Sequence, residues 1–416
     1  MIKVPDLKIG AAKECDENTR LENWQEYKCH PAMYKKEAQW SITGRCNYNC
    51  RHCFMSAPDY KGEDLSLEQS IYILDELQRC GIRCVGITGG EALVNPHFWD
   101  IIDEMRKRRI HMDTLYSNGA LITPELLDGF EKRNMYPAIH MSYDGVGWHD
   151  WLRGIDGAEE NVIRAFKLCK ERGFQTSSSM CLHKHNIGTL KSSIDLLAEL
   201  GAVHLKMNIT APEGRWANEP EHFLTQEDAF RAIIDYIPQY VEDGMPISVQ
   251  FGGFIEFDTR RKRITIPYER FDGNETADKA FACGAVRRGM YIGPTGMVLP
   301  CMTLGGTNIE KLFDNMLEKP LSDILTDSYF KKMSALKMGE CTAHNEKCRD
   351  CQYSRICGAG CRACACAGGK TDYLGVDEDT CDFFKGGWYE KAKEMCEKYL
   401  PLLQKDEKSD EKPDSE

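Results

Sequence analysis

Between residue 39 and about residue 240, a short β-rich run followed by a longer stretch of helical periodicity recurs six times. The runs are QWSIT (39–43), CVGIT (84–88), MDTLYS (112–117), AIHMSY (138–143), FQTSSSM (174–180) and VHLKMNI (203–209). They are rich in the β-branched and aromatic residues that suit a pleated, half-buried surface. Ser66 with Gln69 three residues on makes a capping-box pattern, and Leu67, Ile71, Leu74 and Leu77 share a face before Gly81. Asn95-Pro96 opens a helix with Phe98, Ile101, Ile102 and Met105 inward, and Thr123-Pro124 opens another. Further helices are expected over 158–172, 187–200 and 225–241. Strand-then-helix repeats imply a parallel sheet with right-handed crossovers. Six units fall short of a full eight-unit barrel, so the expectation is an α/β fold with a partial (β/α)6 TIM-like barrel. An open doubly wound sheet fits the period equally.

The polar motifs say more. Cys46 to Cys53, Gly89-Gly90-Glu91, Ser117-Asn118-Gly119 and Ser142-Tyr143-Asp144-Gly145 each follow a predicted strand. That is the carboxyl rim, where such folds keep their chemistry.

The chain has 416 residues, enough for two or three domains. The expected divisions are an N-terminal extension (1–38), the barrel (39–245), a bridge (246–282), a Cys- and Gly-rich domain (283–385), and a C-terminal helix with an acidic tail (386–416). Lys and Arg total 53 against 65 Asp and Glu, which argues against a nucleic-acid partner. No apolar run reaches membrane-span length, and MIKVPDLKIG lacks the apolar core of a signal peptide, so a cytoplasmic protein without a membrane partner is expected.

Of the twenty cysteines, nine lie in the first 282 residues and eleven in the last 134. A long chain with no export signal does not read as a disulfide framework; clustered thiols there read as metal or cluster ligands. Cys46, Cys50 and Cys53 form C-x3-C-x2-C after the first strand. A structural zinc site takes four protein ligands. Three thiolates suit a [4Fe–4S] cluster with one iron left open, although spacing alone leaves zinc in play.

CNYNCRHC after the first strand, with GITGGEAL after the second, resembles the radical S-adenosylmethionine (SAM) superfamily. The resemblance implies that the open iron takes the amine and carboxylate of SAM, and that an electron from the cluster yields a 5′-deoxyadenosyl radical which abstracts a substrate hydrogen. It implies that Gly89, Gly90 and Glu91 hold the methionyl ammonium. His52 would lie beside the adenine, Ser117 and Asn118 beside the ribose, and Ser142 with Arg153 at the cofactor carboxylate.

Further on come Cys283, Gly296 and Cys301, then Cys348-x2-Cys351-x5-Cys357-x3-Cys361, and finally Cys381. Alone, the C-x2-C…C-x3-C piece fits a zinc ribbon. The full series resembles the SPASM extension, which carries two auxiliary [4Fe–4S] clusters. That pattern implies that Cys348, Cys351, Cys357 and Cys381 hold the distal cluster, and that Cys283, Cys301 and Cys361 hold the proximal one. Its fourth ligand is left among Cys341, Cys364, Cys366 and substrate, with Cys341 favoured.

The other cysteines read as structural thiols, and Trp148 and Trp151 as packing. His140, His183, His185 and His204 lie in or just beyond predicted strands and are candidates to face the barrel mouth. Asp144 and His140 are the candidate catalytic groups. Resemblance to SPASM proteins implies a peptide substrate, with thioether or carbon–carbon crosslinking of a ribosomally made peptide the favoured outcome. Alternatives are a small molecule such as a tetrapyrrole and, less favoured because Met302 follows Cys301, sulfatase-type formylglycine maturation. A flavodoxin or ferredoxin would supply electrons. About 38 residues before the first strand are too few for a leader-binding winged helix, so a separate protein or the barrel rim would recognise a precursor peptide.

Overall fold

The computed structural model describes residues 37–404, except Ala211, Asp272 and Glu275. The terminal extension and acidic tail, with Cys15 and Cys29, lie outside the described residues.

All six expected strands form: β1 (Glu37–Ser41), β2 (Cys84–Thr88), β3 (His111–Ser117), β4 (Ala138–Ser142), β5 (Thr176–Leu182) and β6 (Ala202–Ile209). They pair in parallel, in chain order. The helices between them are α1 (Leu67–Arg79), α2 (Phe98–Lys107), α3 (Pro124–Lys132), α4 (His149–Arg153), α5 (Ala158–Glu171), α6 (Leu190–Glu199) and α7 (Gln226–Glu242). Ser66 and Gln69 form the reciprocal capping box, and Thr123 and Thr225 cap α3 and α7. Asn95 instead caps the turn before α2, its Oδ1 accepting from His97 N at 2.8 Å.

The sheet is larger than six strands. β7 (Ser248–Phe251) extends it beside β6, and β10 (Gly289–Ile292) pairs in parallel with β1, giving eight consecutive parallel strands. Antiparallel β8 (Ile255–Asp258) and β9 (Arg263–Thr265) follow β7, and β11 (Val298–Leu299) follows β10. The order is β11-β10-β1-β2-β3-β4-β5-β6-β7-β8-β9, open at both ends. The first half of the stretch expected as a bridge, residues 248–265, is thus sheet. Its marker is Gly252-Gly253, both at positive φ (55° and 79°), a glycine pair of the kind that turns β-hairpins.

Residues alternate across the strands. Ile139, Met141, Met180, Leu205 and Met207 are fully buried in the core cluster shared with the helices. Their neighbours Tyr116, His140, Ser142, Ser177, Ser179, His204 and Lys206 occupy the other face, half-buried or, for Lys206, exposed. Apolar sides thus pack on helices while a polar face lines the concave side.

Beyond β11 the Cys-rich region is built of short helices and turns to residue 385, closed by a helix over Trp388–Gln404 that packs on α7 and β9. Its apolar side chains join the core of the sheet and its helices, with Leu321, Ile324, Leu325, Phe330 and Phe383 fully buried in it. The helices there are too short for a periodic apolar stripe to show in the sequence.

Candidate active site

The loop carrying Cys46, Cys50 and Cys53 is held by the Gly-Gly-Glu turn after β2. Gly90 N donates to Thr43 O and Glu91 N to Arg45 O, both at 2.9 Å. A Cβ on Gly90 would stand 2.3 Å from Arg45 O, so only glycine lets the two backbones meet. Asp64 braces the other side, accepting from Thr43 Oγ1 at 2.7 Å and Gly44 N at 3.2 Å.

The three cysteines gather in one small cluster with Tyr48, Ala120 and Ala158. Backbone amides point at two of them, Tyr48 N at Cys46 Sγ (3.4 Å) and Ala57 N at Cys53 Sγ (3.3 Å). Burial pushes the Cys46 thiol up to about 12, with neighbouring Cys50 and Cys53 adding to it. Thiolates crowded in this way need a cation, and iron supplies one.

Glu91 shows a matching need. Its carboxylate is buried and accepts from Asn118 N (2.8 Å), Leu93 N (3.2 Å) and Ser117 Oγ (3.1 Å). Burial raises it to about 7, and among the described residues no cation offsets this. A buried carboxylate on the rim, hydrogen-bonded yet without a counter-charge, suits an ammonium group. Asn118 Nδ2 also donates to Asn47 Oδ1 at 2.7 Å, which ties the SNG motif to the cysteine loop.

His52 Nδ1 is buried without a hydrogen-bond partner, and burial, then the Arg153 charge, lowers the ring to about 3. It is a neutral aromatic surface beside the cysteines. Arg153 Nη1 lies 3.7 Å from Cys50 Sγ, and its Nε donates to Asp144 Oδ2 at 2.7 Å. Ser142, the other residue expected at the cofactor carboxylate, stands opposite Ser179 on the neighbouring strand.

The two candidate catalytic groups, Asp144 and His140, are both engaged in internal contacts. Asp144 is fully buried; it accepts from Arg153 and from Cys181 N (2.9 Å), and lies 3.3 Å from His149 Nδ1. Although burial alone would raise it, Arg153 and His149 hold its carboxyl far below the usual range, so it is an anchor and a poor base. His140 packs beside Tyr116 with Nδ1 2.8 Å from Ser177 Oγ, and burial lowers it to about 4.

His183 and His185 join Trp148, Trp151, Trp216 and His222 in a ring cluster, Trp148 stacking on His185 at 4.7 Å. The cluster braces the cysteine loop: Arg51, inside C-x2-C, donates to Trp151 O (3.2 Å) and Glu219 (2.9 Å). Sequence reasoning missed Asn47, Asp64, Arg51 and Arg215, which donates to Asn49 Oδ1 at 2.6 Å. Their partners lie 20 or more residues away, beyond any local pattern. It also missed Lys206, opposite Ser179 and Gln250 on the concave face.

In the Cys-rich region, Cys348, Cys351, Cys357 and Cys381 line one small cavity of about 20 Å³. Cys283 and Cys361 face Cys301, whose thiol burial pushes up to about 12. Cys341 does not join them: it is packed with Ala282, Leu336, Cys348 and Ala359. All eighteen described cysteines are free thiols.

Two family models match the chain: the radical SAM superfamily over residues 40–197, and the SPASM iron–sulfur cluster-binding domain over 283–352. The chain thus carries a radical SAM domain followed by a SPASM domain. Its domains bind [4Fe–4S] clusters and SAM, and it is an enzyme of that class. An AdoMet-dependent heme synthase of Methanosarcina barkeri is 25% identical over 357 residues, covering 83% of this chain and 96% of the relative. The antilisterial bacteriocin subtilosin biosynthesis protein AlbA of Bacillus subtilis is 28% identical over 334 residues, covering 78% and 66%. Streptococcus suis SuiB shares the fold. Bound to SAM it has a TM-score of 0.65 at 18% identity, covering 88% of this chain and 81% of that one. Bound to precursor peptide SuiA it has 0.67 at 16%, covering 92% and 84%. No described helix is long and apolar enough to cross a membrane.

Proposed function

We propose that this radical SAM enzyme modifies a peptide, forming a thioether or carbon–carbon bond at an unactivated carbon. The observation that carries the reading is the likeness to AlbA, at higher identity than the heme synthase over a comparable span. Bound at the rim, the cluster and SAM would supply a primary carbon radical for hydrogen abstraction.

The chain's own residues then have separable tasks. Cys46, Cys50 and Cys53 hold the cluster, and Arg153 offsets thiolate charge at Cys50. Glu91 holds the methionyl ammonium, Ser117 and Asn118 position Glu91 and the ribose side, and His52 flanks the adenine. Ser142 is left facing the concave side for the cofactor carboxylate. Cys348, Cys351, Cys357 and Cys381 hold the distal auxiliary cluster, with Cys283, Cys301 and Cys361 on the proximal one. The polar face of β4 to β6 is where substrate lies, with exposed Lys206 offering a charge. The catalytic unit runs from residue 39 through β7 and takes in β10, with the SPASM unit spanning 283–385. A flavodoxin or ferredoxin reduces the clusters, and a separate protein or the rim recognises the peptide.

A second reading, side-chain chemistry on a porphyrinoid, is favoured by the 96% coverage of the heme synthase. Adding host extract, split at a few kilodaltons, to reduced enzyme with SAM separates the two. Stimulation of 5′-deoxyadenosine release by the large, protease-sensitive fraction supports a peptide. Stimulation by the small fraction alone sinks that reading.

A further inference from the structure

Cys301 follows β11 and stands at the N-cap of a tight turn, Met302–Leu304. The helical turn Arg362–Ala365, with Cys361 at its N-cap, packs on that turn. Cys364 stands three residues after Cys361, and residues at that spacing share one face of a helical turn. The Cys364 and Cys361 thiols lie side by side and interact directly. Arg270 faces the same group, its charge interacting with Cys361, Cys283 and Cys364, while its buried Nε has no hydrogen-bond partner. Cys366, two residues further, is turned into the hydrophobic core. Cys341 is fully buried in its own apolar cluster.

We infer that Cys364 is the fourth protein ligand of the proximal auxiliary cluster, completing Cys283, Cys301 and Cys361, with Arg270 beside it as counter-charge. The inference rests on the SPASM reading. A complete set of four thiolates leaves no open iron for substrate. The proximal cluster then handles electrons and does not bind substrate directly. A guanidinium with an unused N–H against four thiolates offsets the extra charge of the reduced cluster better than a neutral side chain would.

The test uses the full chain, reconstituted anaerobically in a Cys46→Ala, Cys50→Ala, Cys53→Ala background, so that only auxiliary clusters are read. Two [4Fe–4S] clusters give about eight irons per chain. Cys364→Ala is expected to lose between about one and four of these irons and to gain a three-iron EPR signal on oxidation. Cys364→Ser is expected to keep the iron with an altered spectrum, and Cys341→Ala to match its parent. Persistence of the distal cluster's EPR signal in each variant reports an intact fold. Unchanged iron and EPR in Cys364→Ala, or iron loss in Cys341→Ala without loss in Cys364→Ala, overturns the inference. Cys283→Ala with Cys301→Ala checks the reading beneath it: if that double variant keeps about eight irons, the proximal assignment itself fails.

Discussion

Arg153 donates through Nε to Asp144 at 2.7 Å while its Nη1 lies 3.7 Å from Cys50 Sγ. One buried guanidinium thus couples the loop after β4 to the cysteine loop after β1. It makes Arg153 a clamp on the site's frame.

Asp144→Asn tests that clamp. Leaving a buried guanidinium without its carboxylate costs about 3–5 kcal/mol. Urea unfolding is expected to show a loss of that size, with iron missing from the SAM cluster. Wild-type stability and iron content, with activity alone abolished, would restore Asp144 as a catalytic base.

Glu91 predicts a pH dependence. Its folded-state value is raised from 4.5 to about 7. The folded apo-protein therefore keeps a proton that the unfolded chain releases, and the associated stability is present below pH 4.5. It is lost as pH rises through 7, by about 3 kcal/mol in all. Glu91→Gln should flatten urea midpoints between pH 5 and 8.5 and abolish SAM binding. An unchanged slope would place the pH dependence elsewhere.

Gly90→Ala should separate close backbone approach from mere turn formation. Its methyl would stand 2.3 Å from Arg45 O, whereas one on Gly188 would meet nothing within 4 Å. Overpacking of this kind costs about 1–3 kcal/mol. Gly90→Ala is expected to lose stability and most 5′-deoxyadenosine production, and Gly188→Ala neither. Equal behaviour of the two variants would remove the argument.

Lys206 is exposed on the concave face opposite Ser179 and Gln250. With the extract fraction that stimulates the enzyme, Lys206→Met should raise the half-saturating amount about tenfold, the loss of one charged hydrogen bond. Lys206→Arg should recover most of it. A fall in maximal rate with unchanged half-saturation would argue against substrate binding there.

Much of this was legible because it is local. Ser66 with Gln69, Thr123-Pro124 and the alternation in β4 declare themselves within a few residues. The rim motifs were legible because their chemistry is tied to spacing, as in C-x3-C-x2-C. The features that were missed are long-range. β7 and β10 are four residues each, too short for periodicity, and β10 joins β1 across some 250 residues of chain. The same reason left Cys364 as one candidate among several and hid the pairing of Asp144, whose partners come from α4 and β5.

The most direct measurement quantifies 5′-deoxyadenosine from anaerobically reconstituted enzyme with dithionite and SAM, beside the Cys46→Ala, Cys50→Ala, Cys53→Ala variant. The account predicts about twelve irons per wild-type chain against about eight in the variant, with deoxyadenosine from the wild type alone. Full iron occupancy in the wild type without any deoxyadenosine, or zinc in place of iron and sulfide, would contradict it.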